Sequence, residues 1–230
     1  MIDYKKRSCQ KELLDNENIP FEAIQKNMQE LNVINTWLGG HAITIKGLKD
    51  FITKDKTLTV CEIGCGGGDN LVAIRKWSNK NGISINLIGV DINQSCINFA
   101  VKNNSAHNIK FYCSDYKEMK FDILPDVIFS SLFCHHFTDD QLIEILKWKK
   151  DYSIKGFFIN DLQRHPVAYN FIKILTAIFS KSYLVKNDAP ISVLRAFKKT
   201  ELKALFLKAN INNYKLQWCW AYRYLIIHKK

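Results

Sequence analysis

The run TLTVCEIGCGGGDN, residues 57–70, limits what the 230-residue chain can fold into more than any other stretch. A short β-branched apolar segment ends in glycines, and a helical pattern follows to about residue 79, where NKNG stops it. Gly64, Gly66 and Gly68 let the backbone of a strand-to-helix turn come close to a ligand. The free N–H groups of the following helix then point at that ligand.

The same strand-then-helix unit recurs. ISINLIGVD reads as a strand and NQSCINFAVKNN as a helix, followed by the strands IKFYCSD and PDVIFSSLF, the helix TDDQLIEILKWKK and the strand SIKGFFIND. In the helix at 138–150, Thr138 with Gln141 forms a capping box. Asp139 and Asp140 sit at its positive end, and Lys147, Lys149 and Lys150 at its negative end. Strands alternating with helices of this length imply a doubly wound, mostly parallel α/β sheet whose site lies beyond the carboxyl ends of the strands.

The flanks depart from this rhythm. Residues 20–35 open with Pro20 and space Phe21, Ile24, Met28, Leu31 and Ile34 as an amphipathic helix. A break at Gly39 and Gly40 and a second short helix over 42–53 follow, so residues 1–53 are expected to form a helical cap on a domain spanning 54–230. At the other end HPVAYNFIKILTAIFS carries Lys173 as its only fully charged residue and should be a helix covered on most sides, part of a lid inserted at about 162–197. TELKALFLKAN reads as a further helix, and NYKLQWCW with YRYLIIH as two strands joined by a tight turn, an antiparallel pair at the sheet edge.

The ligand class follows from the acids. A dinucleotide fold wants glycine at the position of Asp69, beside a pyrophosphate that an acid would repel. The pattern E-x-G-x-G-x-G beginning at Glu62 instead resembles the class I S-adenosylmethionine-dependent methyltransferases, over residues 57–160. That resemblance implies a Rossmann-like, seven-stranded sheet with an antiparallel last strand, and S-adenosylmethionine as the cofactor. Glu62 would hold the methionine end of the ligand. Asp91, ending the second strand, is placed to accept bonds from both ribose hydroxyls. Asp115, ending the third, would meet the adenine amino group, with Tyr116 flanking the base. Cys65, Ile92, Ser114 and Ser131, beside these positions, complete the expected cofactor-binding set with Gly64, Gly66 and Gly68. Either aspartate could also be a turn residue or a helix cap.

Methyl transfer needs alignment of donor and nucleophile and, for a hydroxyl, removal of a proton. The fourth strand ends in SSLFCHHFTDD and lacks the Asn/Asp-Pro-Pro-aromatic motif common in enzymes that methylate base amines. Its S-x-x-x-H-H-F-x-D pattern is similar to that of small-molecule methyltransferases. His135 and His136 are candidate bases, the alternatives being packing under the ligand or capping the next helix. NDLQRHP at the next strand end offers Asp161 with His165 as a second acid/base pair, or a turn in which Asp161 bridges to Arg164. No metal is expected. A finer likeness, to a bacterial subgroup acting on quinone or polyketide-type molecules, places Asn35, Gly39 and Gly40 in a front lid with His41 nearby and suggests a role in secondary metabolism.

The net charge is +11, and residues 181–230 hold 11 Lys/Arg against Asp188 and Glu201. Such a face suits RNA, an anionic membrane or only water, and Trp218, Trp220, Tyr222 and Tyr224 could stack on bases. An RNA methyltransferase and a non-catalytic S-adenosylmethionine-binding protein are therefore the alternatives to an enzyme acting on a small, lipophilic phenol or quinol-like acceptor. Peripheral membrane contact is compatible with that last function. Seven cysteines without a C-x-x-C pair, a charged N-terminal stretch and no apolar run of ~20 residues point to a cytoplasmic protein with reduced thiols.

Overall fold

The computed structural model describes residues 2–16, 19–53 and 56–230. Its strands are β1 Leu58–Ile63, β2 Ile85–Asp91, β3 Ile109–Cys113, β4 Val127–Ser131, β5 Gly156–Leu162, β6 Tyr214–Cys219 and β7 Arg223–Lys229. The helices are α1 Phe21–Trp37, α2 Gly40–Lys49, α3 Asp69–Lys80, α4 Gln94–Asn104, α5 Asp139–Tyr152, α6 Pro166–Phe179, α7 Tyr183–Arg195 and α8 Lys199–Lys208.

The strands form one seven-stranded sheet in the order β3-β2-β1-β4-β5-β7-β6. The first five are mutually parallel, and β7 runs antiparallel to both β5 and β6. Because β1, β4 and β5 are covered on both faces, they are nearly continuous apolar runs rather than alternating ones. One face carries Cys61, Ile63, Ile128, Phe157 and Ile159 against α5 and α8. The other carries Val60, Phe129 and Phe158 against α2 and α3. The order reverses between β1 and β4, which opens the crevice where such sheets bind ligands.

The capping box on α5 is present, with Thr138 Oγ1 accepting from Gln141 N and Gln141 Oε1 accepting from Thr138 N. Between β6 and β7 the turn residues Ala221 (φ 60°) and Tyr222 (φ 54°) are both left-handed, the geometry that matches the twist of the flanking strands.

Helix α2, in the segment read as a cap, packs on β5 and β7. A Cβ on Gly47 would stand only 2.7 Å from the Phe158 ring. The sequence signals no element over 183–195, yet α7 forms there with Pro190 inside it. Its tertiary contacts outweigh the lost backbone bond, and the Asp188 side chain receives the N–H groups of Leu13 and Leu14 at 2.7 and 3.0 Å. Helix α6 is not covered on most sides. It buries Ala168, Ile172 and Thr176, while Val167, Phe171, Ile174, Ile178 and Phe179 are each at least half exposed. The helix packs only along the side that meets α7, Ile34 and Leu38 at the end of α1, and Tyr222. Lys149, expected at the negative end of α5, is fully buried between that helix and the sheet, and its Nζ has no partner among the described residues.

Residues 2–16 form a strap across the end of this sheet. Ser8 N donates to Leu194 O at 3.0 Å, and the Arg7 guanidinium donates to the carbonyls of Arg195 and Phe137 at 2.9 Å. Arg164, buried, donates to the carbonyls of Tyr4, Lys5 and Ala196 and pairs with Glu201. It thereby clamps the strap to the end of the α6–α7 insertion, rather than bridging to Asp161.

Candidate active site

The glycine turn takes the conformation its residues allow. Gly64, Gly66 and Gly68 have φ of +72°, +50° and +79°, values that a side chain would strain. A Cβ on Gly64 would strike the Phe133 ring, while one on Gly66 would meet nothing within 4 Å, so the loop is open at Gly66 alone of these three. Gly66 N donates to Asp91 Oδ2 at 2.8 Å, and Asp91 Oδ1 accepts from Asn93 N at 2.9 Å. The second strand end thereby holds the first glycine loop in place.

A cleft of about 160 Å³ lies beyond the strand ends, lined by Ile63, Gly64, Asp91, Ile92, Ser114, Asp115 and Tyr116, and by Phe133 and Phe137. A larger, shallow depression of about 690 Å³ beside Lys117, Phe121 and Tyr152 holds none of these strand-end acids. The smaller cleft is therefore the candidate site. Asp115 takes Lys117 N at 2.9 Å, Ser114 N reaches Asp91 O at 3.0 Å, and Tyr116 lies edge-on to Trp148. Cys65 is buried in the core beneath the loop.

On the face toward α2, Glu62, Ser131, Asn160 and Arg223 stand at the rim of β1, β4, β5 and β7. Asn70 Nδ2 donates to Glu62 Oε1 at 2.9 Å, and the buried Oε2 has no partner among the described residues. Burial, then the Asp69 charge, pushes the Glu62 carboxyl well above its ordinary range. Asn160 Nδ2 donates to Gly40 O, Thr44 Oγ1 and Ser131 Oγ at 3.0, 3.1 and 3.3 Å, leaving its Oδ1 unpaired. Arg223 is 2% exposed and donates from Nη2 to Asn35 Oδ1 at 2.8 Å, while Nε and Nη1 are unpaired. Acceptors without donors at one end of the row and donors without acceptors at the other suit a ligand with an ammonium and a carboxylate. In the sequence Arg223 reads only as tail charge, and Asn70 carries no signal.

The opposite face holds the histidines. His135 Nδ1 lies 2.7 Å from Asp161 Oδ1, and Asp161 Oδ2 accepts from Cys134 N at 2.8 Å. The structure pairs Asp161 with His135 instead of His165. The His165 ring stacks on Tyr222 at 4.7 Å, and its Nδ1 accepts from Val167 N as the cap of α6. Side-chain alternation explains the difference, since Asp161 faces α5 and the strap. His135 Nε2 points toward Glu12 Oε1 at 3.7 Å. His136 lies beside it, with Nε2 3.9 Å from Glu12 Oε2 and Nδ1 3.4 Å from Asp15 Oδ1. Burial alone would lower the His135 pKa, but Asp161 and Glu12 outweigh it and hold it up at about 9. Burial would raise Asp161 and Glu12, and the imidazoles pull both below the usual carboxylate range. Glu12 and Asp15, remote in sequence, are not legible there as partners of this cluster.

A family profile described as a methyltransferase domain matches residues 54–200. The plantazolicin methyltransferase BpumL, crystallised with SAH, is 18% identical with a TM-score of 0.61, over 90% of this chain and 99% of that one. A SAM-dependent methyltransferase from Aquifex aeolicus is 18% identical with a TM-score of 0.55, over 81% of this chain and 88% of that one. Magnesium protoporphyrin IX methyltransferase (ChlM) from Synechocystis PCC 6803, with bound SAH, is 12% identical with a TM-score of 0.51, over 93% and 89%. No curated protein matches the chain in sequence. With the family match spanning more than half of the residues and the sheet order of the fold in place, the chain belongs to the class I S-adenosylmethionine-dependent methyltransferases.

Proposed function

We propose that this enzyme methylates a small, lipophilic aromatic acceptor, a phenol or quinol, at the rim between the donor cleft and the strap. The observation that carries this is the buried His135–Asp161 pair, set at the ends of β4 and β5 next to Phe133 and Phe137 of the cleft wall.

S-adenosylmethionine, the cofactor of this superfamily, supplies an activated methyl group on a sulfonium centre. The residues present suit it. Glu62 offers an orphaned buried oxygen to its ammonium, and Gly66 leaves open space beside the loop. Asp91 and Asp115 line the cleft with Ile92, Ser114 and Tyr116, which supports reading them as partners of the ribose hydroxyls and the adenine amino group. Gly64 and Gly68 shape the loop, Cys65 packs beneath it and Ser131 steadies Asn160.

Asp161 orients His135, and His136 completes the polar rim. His165 anchors the insertion through Tyr222. The apolar outer face of α6 and the aromatic cleft wall favour a lipophilic acceptor, and closure by the strap and α7 would exclude water from the sulfonium. Among the described residues no helix is long and apolar enough to cross a membrane. Of the basic tail, Arg195 and Arg223 are buried and so are not part of any nucleic-acid-binding surface.

The test is to incubate the chain with methyl-labelled S-adenosylmethionine and a cell lysate, then to count label in organic-soluble, RNA and protein fractions. Label in the organic phase that is lost with Asp161→Asn is the expected result. Label in RNA, or none in any fraction, would overturn it.

A further inference from the structure

Two adjacent histidines and a glutamate from the strap turn their ligating atoms toward one point. One atom each from Glu12, His135 and His136 lies within 4.8 Å of the other two. We propose that this cluster is a binding site for a divalent transition ion of the zinc class, held between the strap and the sheet rim. This goes beyond the assignment of methyl transfer and is measurable without it.

The geometry is that of a site needing only small adjustment. A tetrahedral ion with bonds of about 2.1 Å sets its ligand atoms about 3.4 Å apart. The Glu12 oxygens stand 3.7 and 3.9 Å from the Nε2 atoms of His135 and His136. Two imidazoles and one carboxylate are a zinc-type donor set, with a fourth position left for water or substrate.

The surroundings supply an independent argument. Histidines that bind a metal through one ring nitrogen nearly always give the other N–H to a carboxylate or carbonyl, which fixes the ring and raises its basicity. His135 does so, with Nδ1 2.7 Å from Asp161 Oδ1, and His136 Nδ1 makes a looser ion-pair contact with Asp15 at 3.4 Å, so both Nε2 atoms are left toward Glu12. Neither carboxylate is free to drift. Asp161 also accepts from the N–H groups of Cys134 and Leu162 at 2.8 Å, and Asp15 pairs with Arg195 at 3.0 Å.

Charge balance agrees. Glu12, Asp15 and Asp161 together with Arg195 leave two negative charges to offset, which one dication does with both imidazoles neutral. Glu12 and His135 are buried, while the His136 side chain keeps 26% of its surface, leaving an approach for an ion. Ser192 Oγ donates to Glu12 Oε1 at 2.7 Å, so α7 steadies the strap ligand as well. Occupancy would thus tie the strap, α7 and the rim together at one point.

The test uses the untagged full chain with its exposed thiols removed by Cys9→Ser and Cys113→Ser, titrated with Co2+ and Zn2+. One equivalent of Co2+ with strong visible bands of four-coordinate geometry, displaced by Zn2+, is expected. Affinity should fall at least tenfold in Glu12→Gln and in His136→Ala, and stay unchanged in His107→Ala, which is remote from the cluster. Affinity for S-adenosylhomocysteine reports that each variant is folded. No Co2+ bands in the parent, or bands and affinity unchanged in His136→Ala, would overturn the site. Failure here with methyl transfer intact would leave the functional assignment standing.

Discussion

His135 and Asp161 meet at 2.7 Å where the ends of β4 and β5 lie side by side, and neither is more than 2% exposed. The pair joins a strand end of the parallel sheet to the loop that follows its neighbour, and the strap closes over it through Glu12. Removing one partner strands the other in a medium that solvates charge poorly. Asp161→Ala is expected to cost about 3–5 kcal/mol of stability in urea unfolding, since it also deprives Cys134 N–H of its acceptor. A loss under about 1 kcal/mol would mean that His135 simply sheds its proton.

Donor binding should depend on Glu62 and Asp91 for different reasons. Burial raises the Glu62 carboxyl well above its ordinary value, so a ligand ammonium, which favours the carboxylate, competes there with a proton. Affinity for S-adenosylhomocysteine should therefore rise with pH, and Glu62→Gln should weaken binding at least about tenfold and flatten that rise. Asp91→Ala should weaken it at least as much, because the Gly66 N–H loses its anchor too. Isothermal titration at several pH values reads both effects.

Gly64 is held by Phe133 as well as by its own φ. With φ at +72° and a Cβ that would lie 2.1 Å from the ring, Gly64→Ala is expected to destabilise the chain by about 2–5 kcal/mol. Combining it with Phe133→Ala should cost less than the sum of the two by about 0.5–3 kcal/mol, because the clash is then absent and only backbone strain is left. Strict additivity in chemical denaturation would contradict this.

Lys149 is a buried amine with no partner among the described residues, and burial pulls its pKa down to about 8. In the unfolded chain it titrates near its ordinary 10.5, so the unfolded state binds more protons between these values. Stability from this group consequently rises as pH goes from about 8 to 10.5, and below 8 the full penalty applies. Lys149→Met should raise stability at pH 7 by about 3 kcal/mol, given ~1.4 kcal/mol for each tenfold loss of proton affinity, and remove that alkaline rise. Thermal melts of both chains across this range would show it.

Much of the architecture was legible in the residues. The strand–glycine–helix unit at 57–79 and its repeats led to the parallel sheet, and the two C-terminal runs led to the antiparallel pair. These signals are local: side-chain branching, helical period and turn chemistry act within a few residues. Helix α7 is not legible because Asn187, Asp188 and Pro190 signal a loop locally, whereas burial of Leu184, Val185, Ile191 and Val193 and the strap's N–H groups on Asp188 hold the segment as helix. Lys149 escaped because its place in the last turn of α5 reads as a favourable helix-end charge, whereas its direction points into the sheet.

The site divides in the same way. The proposed donor side is legible in the residues, because Glu62, Asp91 and Asp115 stand at strand ends and a parallel sheet brings successive strand ends to one edge. The other side is set by folding. Which histidine Asp161 meets depends on the face its side chain takes, and Glu12 reaches the pair from more than 120 residues away in the chain. Arg223 likewise joins Asn35 through folding alone. Contacts of that kind leave no spacing in a sequence, since the distance along the chain bears no relation to the distance across the fold.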